Sequence, residues 1–125
     1  MSLLVILESP YAGTSKEITR NIFYARLCVR DSLLLGEAPI ASHLLYTQPM
    51  ILVDAVPAER KLGISAGLAW RKVAEATVVY VDLGISSGMQ HGIDLALTAG
   101  NPVEYRSIDW VLPSLPFPPG GAARV

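Results

Sequence analysis

The stretch Leu3-Leu4-Val5-Ile6-Leu7-Glu8-Ser9-Pro10-Tyr11-Ala12-Gly13-Thr14-Ser15-Lys16-Glu17 decides the fold. Its first five residues are a continuous apolar run without alternation, the pattern of a strand covered on both faces in a parallel sheet. Glu8 to Gly13 form a turn-rich loop. Thr14 and Glu17 then have the spacing of a capping box, in which hydroxyl and carboxylate each satisfy an orphan backbone N–H. Ile18, Ile22, Ala25, Cys28, Val29, Ser32 and Leu33 follow on one helical face, and Gly36 supplies the stop. The chain opens as strand, loop and long helix.

The same alternation continues. Pro39-Ile40-Ala41 reads as a short second strand running into Ser42-His43, and the stretch to about Val56 is irregular. Pro57 and Glu59 suit the first turn of a helix that the pattern carries to about Val73, although Gly63 and Gly67 sit inside it against helix propensity. Thr77-Val78-Val79-Tyr80-Val81 is the third strand, ending at Asp82. A loop from Leu83 to Gly88, a helix from about Met89 to Ala99 and a fourth strand starting at Pro102 complete the pattern. Such alternation implies a parallel sheet. The expectation is one α/β domain over residues 1–108, a flavodoxin-like or Rossmann-like three-layer sandwich with a short parallel sheet of four or five strands. Residues 109–125 form a Pro-rich tail, in which Trp110, Leu112, Leu115 and Phe117 suit packing on the domain or on a second copy.

Composition narrows the function. The 125 residues are 51% hydrophobic and 17% charged, enough apolar material for one core without disulfide or metal. The single cysteine, Cys28, falls in an apolar helical pattern and reads as a buried structural thiol. A net charge of −1 gives no footprint for nucleic acid or an anionic membrane. Mean hydropathy is +0.40, yet the longest apolar runs fall far short of the ~20 residues of a membrane span. No leader pattern precedes Leu3, so the expected location is cytoplasmic. GxGxxG and Walker A patterns are absent, and His43, His91 and Asp82 lack a recognised ligand spacing, so neither cofactor nor metal is expected.

In open parallel sheets, ligands bind beyond the carboxyl ends of the strands. That selects the loops Glu8–Gly13, Ser42–Thr47 and Asp82–Gly88. Ser9 and Tyr11 precede one helix, and Ser86, Ser87, Gly88 and Met89 open another; both places suit an anion or ribose, and both also read as ordinary helix caps. His43 at a strand end is a candidate acid or base, or else a structural histidine, with Tyr46 beside it. Glu8 and Asp82 each end a strand and are candidate bases, with Asp94 also near. Arg20, early in the first helix, is near enough to the loop to meet an anionic group. The candidate catalytic residues are therefore Glu8, His43 and Asp82. The candidate ligand-binding residues are Ser9, Tyr11, Arg20, Tyr46, Ser86, Ser87, Gly88 and Met89.

The order of these features resembles the nucleoside 2-deoxyribosyltransferase and nucleotide N-hydrolase superfamily. The likeness runs from about Leu3 to Arg106 and rests on the Ser9-Pro10-Tyr11-Ala12-Gly13 loop, on Val78-Val79-Tyr80-Val81-Asp82, on Ser86-Ser87-Gly88 and on Gly100-Asn101-Pro102-Val103. The chain also looks like a group of small bacterial and phage proteins related to that superfamily, which share Ala41 to Gln48 and Asp82 to Met89. The resemblance implies a nucleoside or nucleotide as the partner, cleavage or transfer at an N-glycosidic bond, and a homo-oligomer. It also implies a nucleophilic glutamate in the helix after the glycine, and lining up Ser86-Ser87-Gly88 places Gly92 at that position. A glycine cannot form a glycosyl-enzyme intermediate, and Asp94 points well away from position 92 on a helix. Two readings follow: a divergent enzyme in which Glu8, Asp82 or His43 takes over the chemistry, or a protein that binds the nucleotide without cleaving it. A scaffold that uses the aromatic tail is a third.

Overall fold

The computed structural model describes residues 3–109; the expectations for the Pro-rich tail fall outside them, apart from Asp109. Strand β1 (Leu3–Glu8) buries Val5, Ile6 and Leu7, as a strand covered on both faces should. Thr14 caps helix α1 (Ser15–Leu34). Its hydroxyl accepts from the Glu17 N–H at 3.2 Å, and the Glu17 carboxylate accepts from the Thr14 N–H at 2.8 Å. The buried line of α1 runs through Asn21, Tyr24, Ala25, Cys28 and Ser32, which keeps three members of the expected stripe but is turned toward Asn21 and Tyr24, so that Leu33 is exposed. Polar partners explain the offset. Asn21 Nδ2 donates to the Tyr11 carbonyl, Tyr24 to Asp82 and Ser32 to Glu37, which removes the penalty of burying those groups. Cys28 is fully buried there, and burial above all pushes its thiol up, as befits a structural cysteine.

Strand β2 (Glu37–Ile40) lies at the sheet edge, where Pro39 costs no central ladder bond. The stretch expected to be irregular contains a short helix, α2 (Ser42–Leu45). Helix α3 (Pro57–Ala69) ends earlier than expected and passes into a 3-10 turn, Trp70–Lys72. Its two glycines have a packing reason. A Cβ on Gly67 would stand 2.5 Å from Ser42 Oγ, and one on Gly63 3.2 Å from a Leu52 methyl. Glycine lets α3 lie close against α2 and the following loop, which offsets the lost helix propensity. Strand β3 (Ala76–Tyr80), helix α4 (Ser87–Thr98) and strand β4 (Val103–Arg106) follow.

The four strands of the described residues form one parallel sheet in the order β2-β1-β3-β4. Helix α1 covers one face, with Tyr24 and Cys28 against Val5, Leu7, Val78 and Tyr80. Helix α4 covers the other, with Met89 and Ile93 against Val79 and Val103. This is a three-layer α/β sandwich with flavodoxin-like strand order. The chain leaves β1 in one direction to form β2 and returns on the other side to form β3, so the order reverses between β1 and β3. That is where such sheets open a crevice. No described helix is long and apolar enough to cross a membrane.

Candidate functional site

A cavity of about 300 Å³ opens beyond the carboxyl end of β1, at the small end of the range for ligand pockets. Glu8, Ser9 and Tyr11 come from β1 and its loop, and His43, Tyr46 and Thr47 from α2 and the turn after it. Ile64, Gly67 and Leu68 of α3 and Arg71 of the 3-10 turn form one wall. The opposite wall is the start of α4, from Ser86 to Met89 and again at His91 and Gly92. Among the described residues no group of three or more His, Cys, Asp or Glu is placed to hold a metal ion.

Glu8 is the carboxylate at the heart of this cavity. It is the last residue of β1 and shares a register with Val79, so its side chain emerges on the α4 face of the sheet. There it meets Gly92, whose helix runs so close that an added Cβ would lie 2.8 Å from Glu8 Cδ. A side chain at position 92 and the Glu8 carboxylate would claim the same space. Arg71 Nη2 stands 3.5 Å from Glu8 Oε2, an ion pair longer than a hydrogen bond. Burial raises the Glu8 carboxyl from its ordinary 4.5 to about 7, and Arg71 only partly opposes the rise. Near neutrality Glu8 therefore exists in both protonation states, as an acid–base group must.

His43 forms the second polar centre. Its Nε2 lies 2.6 Å from the hydroxyl of buried Ser9. Burial lowers its imidazole to about 4, so it is neutral at pH 7. In the tautomer that carries hydrogen on Nδ1, Ser9 donates to Nε2 and keeps its lone pairs for a ligand. Ser86 is the N-cap of α4 and accepts from the Met89 N–H at 3.2 Å. Ser87 and Gly88 follow it in the first turn, where N–H groups lack intrahelical partners. Tyr46 gives its hydroxyl oxygen to the Trp70 indole at 2.9 Å, which ties α2 to the end of α3.

Of the expected site residues, Glu8, Ser9, Tyr11, His43, Tyr46, Ser86, Ser87, Gly88 and Met89 all line this one cavity. Asp82 does not. It follows β3 on the α1 face, where its carboxylate accepts from the Tyr24 hydroxyl at 2.6 Å, from Ser107 and from the Ile108 N–H. Arg20 also lies outside the lining, its guanidinium on the Asn21 side chain at 3.3 Å. Asp94 is exposed and accepts from Gln90. His91 is exposed yet reaches the cavity edge. Sequence reasoning missed Arg71, which belongs to no motif and gains its role from the packing of the 3-10 turn under Glu8.

A family model matches residues 3–106, nearly all of the described chain. The chain belongs to the DUF7768 family of domains of unknown function. No curated protein matches it. Among solved structures, this DUF7768 domain is similar to the 2-deoxyribosyltransferase of the psychrotolerant bacterium Bacillus psychrosaccharolyticus. The TM-score is 0.58 at 18% identity, over 87% of this chain and 76% of the other. At that identity the likeness establishes a shared fold.

Proposed function

We propose that this DUF7768 domain holds a nucleoside or nucleotide in the cavity and acts on its N-glycosidic bond, with Glu8 as the working carboxylate. One observation carries the reading: Glu8 fills the gap that Gly92 leaves open in the wall of α4. The resemblance in sequence asks for a carboxylate at position 92, and this chain delivers one to the same place from β1. Ionised Glu8 attacks the anomeric carbon, forming a C–O bond as the C–N bond breaks, and the base leaves with the electron pair and takes up a proton. Water or a second base then displaces Glu8. Ser9, paired with His43, and the first turn of α4 supply donors and acceptors for the sugar and its substituents. Tyr11 and Tyr46 offer aromatic surface to the base.

Binding without cleavage is the second reading. Asp82 faces away from the cavity, which leaves Glu8 without the second strand-end acid that the sequence offered. Incubation with a panel of nucleosides and nucleoside monophosphates, followed by chromatography for free base, separates the two. Release of base that disappears in Glu8→Gln supports the enzyme. A raised melting temperature with a panel member and no release supports the binder, and neither effect with any of them refutes both. Self-association belongs to the same proposal. Sedimentation of the full chain should give an oligomer, and a chain that ends at Ile108 tests the tail's part.

A further inference from the structure

Arg71 is the cation nearest Glu8, and its position has a visible cause in β3 and the turn before β4, on the same face of the sheet. Asn101, just before β4, donates from Nδ2 to the Ala74 carbonyl at 3.1 Å, which fixes the orientation of its amide. Its Oδ1 then accepts the single hydroxyl proton of Thr77 at 2.8 Å. With that proton committed, the Thr77 oxygen acts as an acceptor only, and it takes the Arg71 Nη1–H at 3.0 Å. Thr77 is fully buried on β3 and the Arg71 side chain is 11% exposed, so this chain of bonds is shielded from water.

The other edge of the guanidinium is under-used. Nε is buried without a hydrogen-bond partner, and Nη2 stops 3.5 Å short of Glu8. Nε and Nη2 form the fork that grips a carboxylate with two parallel bonds when geometry allows. Of the other charged or titratable groups lining the cavity, Arg60 and Asp54 pair with each other at 2.7 Å, and Glu59 accepts from the Val53 N–H. His43 of α2 is held by Ser9, and α4 contributes His91 at the edge. The described residues give Glu8 an ion pair with Arg71 and with no other cation.

We propose that Thr77 and Asn101 are positioning residues: they tether Arg71 on the side away from Glu8 and so keep the cavity's carboxylate from collapsing into a closed, hydrogen-bonded ion pair. A closed pair would hold Glu8 permanently ionised and occupied. The tethered pair leaves it free to gain and lose a proton while still biased by a nearby positive charge. The proposal rests on Glu8 being the working carboxylate, but its test needs no substrate.

The test is the titration of the Glu8 side-chain carboxyl by carbon-13 NMR on the full chain, its signal assigned through Glu8→Gln. Thr77→Val keeps the shape of the buried side chain and removes the tether, so the Glu8 midpoint should fall by at least one pH unit as Arg71 closes on it. Thr77→Ser retains the hydroxyl and should restore the native midpoint. Asn101→Ala leaves the buried threonine in place and should move the midpoint the same way, so the proposal stays testable if Thr77→Val does not fold. A Glu8 midpoint that stays put or rises in a folded tether variant overturns it. That outcome would leave the reading of Glu8 in catalysis intact, since base release is a separate measurement.

Discussion

Glu8 and Asp82 look alike in the sequence, each an acid at the end of a β-rich run, and the fold gives them opposite duties. Register explains the difference. Leu7 pairs with Val78 and Glu8 with Val79, so the side chains of Leu7, Val78, Tyr80 and then Asp82 point toward α1 while Glu8 points toward α4. One carboxylate is left desolvated in a cavity with its proton in play. The other has donors on both oxygens and ties the segment after β4 to α1. In a parallel sheet covered on both faces, one residue of parity separates a site from a clasp.

The sharpest way to break this contrast is to remove each acid in turn. Glu8→Gln should lower base release by a factor of at least about 10,000, the scale of losing a residue of the covalent machinery, and leave the fold intact. Asp82→Ala should do the reverse. It strips the buried Tyr24 hydroxyl of its acceptor and should cost about 1–3 kcal/mol of stability, with turnover of the folded protein little changed. Urea unfolding and base release measured on both variants decide the matter, and equal losses of turnover would erase the distinction.

A smaller effect distinguishes two glycines of α4. Replacing glycine by alanine in a helix normally stabilises by up to about 1 kcal/mol. Gly88→Ala should follow that rule, because its added methyl would come no closer than 4.0 Å to Ser86 Oγ. Gly92→Ala should be destabilising by about 1–3 kcal/mol, since the methyl must displace a buried carboxylate. Differential melting of the two variants is the measurement. If Gly92→Ala melts at or above the native temperature, Glu8 does not occupy the gap.

Much of this was legible in the sequence because the deciding signals are local. The unbroken apolar run of β1, the capping box at Thr14 and Glu17 and the stop at Gly36 each report on a few neighbouring residues, and the strand–helix alternation implies the parallel sheet. Polar residues from each of the three loops line one cavity, though Asp82 is not among them. What stayed hidden depends on relations between distant segments. The face on which Asp82 emerges follows from the β1–β3 register. The exposure of Leu33 follows from polar partners that let Asn21 and Tyr24 take the buried line. Gly63 and Gly67 read as helix weaknesses until the approach of α3 to Ser42 and Leu52 is known. Arg71 carries no motif at all.

The smallest expected effect is a cancellation, and it sets Glu8 against His43. Below pH 4.5 the Glu8 carboxyl is protonated in both folded and unfolded chains. Between pH 4.5 and about 7 the unfolded chain loses this proton first, so Glu8 makes stability fall as pH rises, by about 3 kcal/mol in full. His43 acts oppositely. Between pH 6.5 and about 4 the unfolded chain binds a proton that the buried imidazole refuses, so stability falls as pH drops, by a similar amount. Glu37, whose carboxyl Arg106 above all holds below the usual range, loses its stabilisation only beneath this window. The native chain should therefore show a nearly level profile from pH 4.5 to 6.5 in urea unfolding. Glu8→Gln should uncover the His43 slope, with stability climbing as pH rises from 4 to 6.5 and exceeding the native value at pH 8 by up to about 3 kcal/mol. His43→Gln should uncover the opposite slope, with stability falling from pH 4.5 to 7. If the Glu8→Gln profile runs parallel to the native one, Glu8 is not held protonated by burial, and the contrast between the cavity acid and the clasp acid loses its electrostatic half.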